Sequence, residues 1–266
     1  MSISDIESGV PVHSPGDARA PFRPRRLHIL GVPVDALNMT AAVNHVSQML
    51  SGDRTHTVLA VNPEKVIAAQ RNDALLRALQ NCDLLVPDGI GVVMAARLRD
   101  MGPIERVPGS ELMPEICRLA AGGGHGVFLF GARPDIVART AVLLEQAHPG
   151  LRVVGTRDGY IGETDMDRLI DDINASGADV LFVALGSPRQ ELWIERYRAR
   201  LRVKVCQGVG GTFDAICGYP RRAPLLFRKL NLEWFYRLVT QPSRAHRQLA
   251  LPVFAARVLS EAVRRR

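Results

Sequence analysis

Residues 84–93, LLVPDGIGVV, form an apolar run that ends in a carboxylate. Asp88 stands between Pro87 and Gly89, so one acidic side chain is placed where a short buried strand stops. A carboxylate held there can serve as a general base toward a hydroxyl group. Aspartate is also a common N-cap, and a helix-forming segment, IGVVMAARL, follows it. The residue alone leaves both roles open.

Four other apolar runs are followed by polar or glycine-rich motifs. These motifs are VNPE (61–64), GAR (131–133), GSPRQE (186–191) and GVGGTFD (208–214). In open parallel sheets, ligands bind beyond the carboxyl ends of the strands, so five such ends on one edge predict a binding crevice. Backbone N–H groups of GVGGTFD can hold a diphosphate, although the same glycines also suit a simple tight turn.

The motifs that the sequence lacks narrow the chemistry. The dinucleotide fingerprint G-x-G-x-x-G is incomplete in GIGVVM and GVGGTF, and neither a P-loop nor G-x-S-x-G is present. The four cysteines form no C-x-x-C pair and no zinc spacing, so no metal site is expected. A nucleotide diphosphate held by amides and arginines, with one carboxylate base, suits sugar transfer. A nicotinamide-dependent Rossmann oxidoreductase and a basic nucleic-acid-binding protein remain as alternatives.

The elements that carry these motifs are short apolar strands alternating with amphipathic helices. A strand at 57–61 precedes a helix with Asn62 as N-cap and Pro63 at its first position. This one helix is predicted to extend as far as Leu79, which belongs to its apolar side. Ser187 is predicted to cap the helix of GSPRQELWI in the same way. This alternation predicts an α/β protein with a Rossmann-like parallel sheet and helices on both faces.

Charge divides the chain into three parts. Residues 1–26, rich in Pro, Ser, Gly and charge, are expected to be a disordered tail before a Rossmann-like domain at 27–218. Residues 219–266 hold 11 Lys and Arg against two Asp and Glu, a net charge of +9; the rest holds 23 against 25. With Leu226, Leu230, Trp234 and Leu238 at helical spacing, this segment predicts a basic amphipathic helical appendage. It either meets an anionic membrane surface or packs on its own core.

Seven stretches together resemble the TagA/WecG/CpsF glycosyltransferases. They lie between about residues 30 and 248 and read VNPEKVIAAQ, DLLVPDGIGVVMAARL, ERVPGSELM, VFLFGARP, GSPRQELWI, GVGGTFDAICGYPRRAP and LNLEWFYRLVTQPSR. The resemblance implies a Rossmann-like fold and inverting transfer, without a catalytic metal or other cofactor, from a UDP-sugar. The implied acceptor is a polyprenyl-diphosphate-linked saccharide in bacterial exopolysaccharide or surface-glycan assembly. The protein would be peripheral, at the cytoplasmic face of the inner membrane, with homo-oligomers plausible and no nucleic-acid partner.

The resemblance also implies roles for single residues. Asp88 is the expected general base, and Asn62, Arg106 and Gln190 share its pocket; Ala60 replaces the family's usual threonine. Taken with the motifs at the strand ends, the resemblance predicts that the UDP-sugar is bound by Gly131, Gly186, Gln190, Gly208, Gly210, Gly211 and Asp214. The expected contacts to membrane and lipid diphosphate are Arg237, Arg244 and Arg247. The donor hexose stays open between glucose, N-acetylmannosamine and its uronate.

Overall fold

Strands and helices alternate along most of the chain. A computed structural model describes residues 24–219 and 250–264. Its strands are β1 (Arg26–Ile29), β2 (Val32–Asp35), β3 (His56–Val61), β4 (Leu84–Pro87), β5 (Gly126–Gly131), β6 (Arg152–Arg157), β7 (Ala178–Ala184) and β8 (Val205–Gly208). Its helices are α1 (Met39–Leu50), α2 (Pro63–Ala69), α3 (Asp73–Gln80), α4 (Ile90–Leu98), α5 (Gly109–Gly123), α6 (Pro134–Ala147), α7 (Met166–Ala175), α8 (Arg189–Tyr197), α9 (Thr212–Ile216) and α10 (Ala250–Arg264).

The main sheet has six strands in the order β4-β3-β8-β7-β5-β6, and every neighbouring pair is parallel. A separate hairpin pairs β1 with β2 in antiparallel orientation. Because the six strands are parallel, all their carboxyl ends lie at one edge of the sheet. The predicted Rossmann-like α/β architecture is therefore confirmed.

Each face of the sheet carries its own apolar core. Helices α2, α3, α4, α7, α8 and α10 cover one face, and α1, α5, α6 and α9 cover the other. The central strands are buried on both faces, which explains why β5 reads as the continuous apolar run GVFLFG. All four cysteines are buried and unpaired. Burial raises the pKa of Cys82 and of Cys117 to about 12, so these thiols stay protonated.

Two predicted helix starts have different outcomes. Asn62 caps α2 as expected, but α2 ends at Ala69, and Asn72 caps a separate helix, α3, by accepting the Leu75 N–H at 3.0 Å. The prediction that Ser187 caps α8 is wrong. Pro188 holds the cap position there, and no side chain completes a cap bond.

The ends of the described residues refine the predicted boundaries. Arg26 already belongs to β1, and its guanidinium pairs with the buried Asp35 at 2.8 Å. In the C-terminal part, α10 buries Phe254 and Val258 against α2 and α4. Residues 1–23, 220–249 and 265–266 lie outside the described residues, and the second of these ranges contains Arg237, Arg244 and Arg247. Among the helices that the structure describes, none combines the length and hydropathy that crossing a bilayer requires.

Candidate active site

Asn62 and Asp88 lie side by side at the carboxyl ends of two paired strands. The Asp88 N–H donates to the carbonyl of Val61 at 2.8 Å, which extends the β3–β4 ladder by one bond. Asn62 Oδ1 accepts the Lys65 N–H at 2.9 Å. Both residues are half-buried, so they lie at the edge of the protein rather than in its core. The structure thus brings together the two residues expected to share a pocket.

The N-cap position of α4 belongs to Gly89 and not to Asp88. Asp88 therefore precedes the N-cap position of this helix by one residue and does not occupy it. Gly89 has a φ of +90°, a conformation that L-residues rarely adopt. A Cβ on Gly91 would lie 2.8 Å from Pro63 Cγ. The two glycines thus let the start of α4 approach the start of α2 closely, which keeps Asp88 beside Asn62.

Arg106 is held next to this pair of strand ends. The N–H of Val107, the next residue, donates to the carbonyl of Pro87 at 2.7 Å. The Arg106 guanidinium is about a third exposed and lies 3.2 Å from Glu111 Oε1. Arg106 is therefore next in sequence to the residue that bonds the end of β4, and its guanidinium pairs with Glu111.

The predicted diphosphate loop, Gly208–Gly211, follows β8, which lies between β3 and β7. Its Val209 N–H donates to the Val183 carbonyl at 2.9 Å, and Gly210 has a φ of +56°. The helix after the loop, α9, has only five residues, so its dipole adds little to anion binding. Because the N–H groups of Val209 and Gly210 are bonded within the protein, the loop can offer a ligand the backbone N–H of Gly211.

Gln190 supports this loop from beneath. The side chain is 4% exposed, and its Oε1 accepts the Gly210 N–H at 2.9 Å. A Cβ on Gly208 would lie 2.9 Å from Gln190 Nε2. A glycine is therefore needed at position 208 for Gln190 to pack beneath the loop.

Gln190 belongs to a buried polar network that begins at β3. Its Nε2 donates to Glu191 Oε1 at 3.0 Å, and the same oxygen lies 2.7 Å from Lys65 Nζ. Lys65 Nζ also donates to the Ala60 carbonyl. Burial alone would raise the pKa of Glu191, but Lys65 and Gln190 outweigh it and hold that pKa below its ordinary value. The network therefore contains a buried ion pair.

Gly131 and Gly186 shape the ends of the neighbouring strands β5 and β7. Gly131 has a φ of +120°, and a Cβ there would lie 2.5 Å from the carbonyl carbon of Ala184. Gly186 has a φ of +75° and accepts the Gln190 N–H at 2.9 Å. Both glycines set backbone paths, and neither is among the residues that line the neighbouring cleft.

A cleft of about 500 Å³ opens at the ends of β5, β6 and β7. This volume is within the range of small-molecule sites. Of the residues predicted to bind the donor, Asp214 lines the cleft. The other lining residues are Ala132, Arg133, Gly159, Tyr160, Ala184, Leu185, Arg189 and Tyr219. In residues 24–219 and 250–264, no cluster of three or more His, Cys, Asp or Glu is placed to hold a metal ion.

Comparison with known proteins identifies the family of this chain. The model of the glycosyl transferase WecG/TagA/CpsF family matches residues 27–266. The chain belongs to this family of glycosyltransferases. The match reaches the end of the chain, so the last twenty residues, which the sequence motifs left outside the resemblance, lie within it. Family membership favours glycosyl transfer over the nicotinamide and nucleic-acid alternatives.

Two curated Bacillus proteins are similar to this family member over most of their length. One, from Bacillus spizizenii (strain ATCC 23059 / NRRL B-14472 / W23), is 35% identical over 222 residues, 83% of this chain and 86% of that protein. The other, from Bacillus subtilis (strain 168), is 33% identical over 234 residues, 88% of this chain and 91% of that protein. Each is named N-acetylglucosaminyldiphosphoundecaprenol N-acetyl-beta-D-mannosaminyltransferase.

The structure adds site residues that sequence reasoning missed. Arg133 and Arg189 are exposed at the cleft, and both lie in motifs already singled out, GAR and GSPRQE. Tyr160 follows β6 in a segment without a recognisable motif. The ion pair of Lys65 with Glu191 had no signal in the sequence, because it joins residues far apart in the chain.

Proposed function

We propose that this glycosyltransferase moves a hexose from a UDP-sugar to a saccharide carried on a polyprenyl diphosphate, with inversion at the anomeric carbon. The observation that carries the proposal is the strand order β3-β8-β7. It puts the glycine loop after β8 between the cleft on one side and Asn62 with Asp88 on the other. From β4, which Asp88 follows, to β7 the distance is three strand spacings, about 14 Å. A nucleotide in the cleft can thus direct its diphosphate over the loop and its sugar toward Asp88.

The leaving diphosphate is handled by protein groups in this proposal. Arg133 and Arg189 lie at the cleft, and Gly211 can offer a backbone N–H, since those of Val209 and Gly210 are already bonded within the protein. Charge-assisted hydrogen bonds of this kind stabilise the negative charge that develops as the bond to UDP breaks. Asp214, which also lines the cleft, is suited to accept hydrogen bonds from ribose hydroxyls.

Asp88 acts as general base in the transfer step. Its carboxylate takes the proton from an acceptor hydroxyl, and that oxygen forms a bond to the anomeric carbon. The bond from this carbon to the diphosphate oxygen breaks, and UDP leaves. Attack opposite the leaving group turns an α-linked donor into a β-linked product, in agreement with the β-linkage in the names of both relatives.

The relatives' names also suggest the first substrates to test. We propose N-acetylmannosamine as the donor sugar and an N-acetylglucosaminyl polyprenyl diphosphate as the acceptor. Because such an acceptor is anchored in a bilayer, the protein would work peripherally at the cytoplasmic face. The net charge of +9 in residues 219–266 supports attraction to anionic lipids there.

The experiment that tests this function replaces Asp88 by asparagine. Transfer from UDP-sugars to a short-chain lipid-linked acceptor is expected to fall by about 10²- to 10⁴-fold, the usual contribution of a general base. UDP affinity, measured by calorimetry, should stay within a few-fold of wild type, because Asp88 lies outside the cleft. Unchanged turnover by folded D88N would remove Asp88 as the base. Absence of UDP binding in the wild type, with NAD or nucleic acid binding instead, would overturn the proposed reaction.

A further inference from the structure

The Lys65–Glu191 ion pair lies beneath the proposed site, out of reach of solvent. Lys65 is 6% exposed and Glu191 is 0% exposed, and Nζ and Oε1 are 2.7 Å apart. Moving two charges out of water carries a large desolvation penalty, and apolar side chains of similar size often stabilise a fold as well or better. The pair is therefore poorly explained by stability alone.

The contacts of the pair connect both halves of the proposed site. On the side of the base, Lys65 donates its own N–H to Asn62 Oδ1 at 2.9 Å and its Nζ to the Ala60 carbonyl. On the donor side, Glu191 Oε1 accepts from Gln190 Nε2 at 3.0 Å. Gln190 Oε1 in turn accepts the Gly210 N–H at 2.9 Å. One chain of hydrogen bonds thus runs from the end of β3 to the loop after β8.

The orientation of the Gln190 amide depends on Glu191. A carboxamide has one oxygen that accepts and one nitrogen that donates, and the two differ little in shape. The ionised carboxylate of Glu191 only accepts, so it selects the Gln190 nitrogen. The oxygen is then left facing Gly210, where it fixes the direction of that amide.

We propose that Glu191 is a positioning residue that acts through Gln190, with Lys65 as the counter-ion of its buried carboxylate. Together they hold the Gly208–Gly211 loop in the conformation that receives the donor diphosphate, and they tie it to the segment that carries Asn62. The role in donor binding depends on the proposed function. The effect on the loop itself does not, since the Gly210 N–H can be followed without any ligand.

The test compares two double variants of matched side-chain length in the full chain. K65M/E191M removes both charges and the acceptor for Gln190, whereas K65M/E191Q removes both charges but keeps an acceptor oxygen. Thermal unfolding first establishes that both are folded. Amide exchange at Gly210 and the Kd for UDP are then measured, followed by kcat and KM for transfer.

Gly210 exchange in K65M/E191M is expected to accelerate about fivefold to tenfold, the range for losing one ordinary hydrogen bond. Its Kd for UDP should rise by about tenfold. K65M/E191Q should stay within about threefold of wild type in both measurements, because the amide oxygen introduced at position 191 still accepts from Gln190. If the ion pair only stabilised the fold through its charges, K65M/E191Q would lose as much as K65M/E191M. Should K65M/E191M not fold, Q190M takes its place, and Gly210 must exchange faster there as well.

Unchanged Gly210 exchange in K65M/E191M overturns the proposal. If Q190M is used because K65M/E191M does not fold, unchanged Gly210 exchange in Q190M overturns it as well. So does an equal loss in K65M/E191M and K65M/E191Q, because the charges themselves would then be needed. Failure of the proposed function has a different signature. In that case the wild type does not bind UDP, while Gly210 exchange still responds to the double variants as expected.

Discussion

Gly131→Ala is expected to damage stability and the cleft together. The residue ends β5 opposite Ala184 of β7, with a φ of +120°. An added Cβ would lie 2.5 Å from both the carbonyl carbon and the oxygen of Ala184 and 2.8 Å from its nitrogen. These are backbone atoms, so no side-chain rotation relieves the overlap, and the two strand ends must separate.

The size of the loss follows from two contributions. A sparsely populated backbone conformation costs about 1–3 kcal/mol for a residue with a Cβ. Overpacking against fixed neighbours adds about 1–3 kcal/mol. The free energy of unfolding should therefore fall by about 2–6 kcal/mol. At about 2–4 °C per kcal/mol for a domain of this size, Tm should fall by about 5–20 °C.

Gly177→Ala supplies the matched control. Gly177 also has a positive φ, +68°, but a Cβ there meets nothing within 4 Å. Only the backbone contribution remains, about 1–2 kcal/mol. Gly177 precedes β7 at the amino end of the sheet, so its replacement should leave the cleft intact.

Urea unfolding of both variants, with and without UDP, separates the two effects. At a hundred times its Kd, a ligand that binds only the folded state stabilises that state by about 2.7 kcal/mol. G177A should keep this gain, and G131A should lose most of it, since Ala132 and Ala184 line the cleft. The reasoning is refuted if G131A is no less stable than G177A, or if it keeps the full gain from UDP.

Three further predictions concern the cap, the pH dependence and metal ions. Asn62→Ala and Asn72→Ala each remove a helix cap and should lower the free energy of unfolding by about 1 kcal/mol. Only Asn62→Ala should also reduce transfer, because Asn72 lies away from the strand ends. Equal transfer activity of the two variants would exclude Asn62 from the site. Burial holds the pKa of His45 and of His56 below the ordinary value of 6.5. The unfolded state therefore binds more protons than the folded state as pH falls below about 6.5, and the free energy of unfolding should decrease. In urea unfolding, H45Q and H56Q should show a weaker pH dependence of this free energy than wild type. Transfer should survive a chelator such as EDTA, and activity that requires added divalent metal would contradict diphosphate binding by protein groups alone.

Local patterns in the sequence predicted the elements well, but not their neighbours in space. The cap at Asn62 and the apolar run of β5 are short-range signals, and both are confirmed. The break between α2 and α3 was missed, although Asn72 followed by Asp73 is an ordinary helix start. Helix α5 was missed as well, and it carries Pro114 within it. The strand order depends on pairing between distant segments, which no local pattern encodes.

The same limit applies to the site. Asp88 could be singled out because it ends an apolar run, whereas the expected site role of Asn62 came from the family resemblance. No local pattern indicated that Gln190 lies buried beneath the loop of Gly210, because this depends on β8 lying beside β7. Arg133 and Arg189 were visible in their motifs, but only the fold shows that both lie at one cleft.

The position of β8 also explains why the loop needs support from within the protein. Its glycines carry no side chains that pack, and the helix that follows has five residues, so local structure holds the loop weakly. Gly208 has no Cβ, which is what allows Gln190 to pack beneath it at a distance where any larger residue would collide. The absence of a side chain at Gly208 therefore has two consequences: it leaves the backbone of the loop open, and it makes room for the buried Gln190 amide that supports the loop. The Gly210 N–H is bonded to Gln190, so this support sets the position of the loop rather than a donor for the ligand. Under the proposed function, less of the ligand's binding free energy is then spent on ordering the loop.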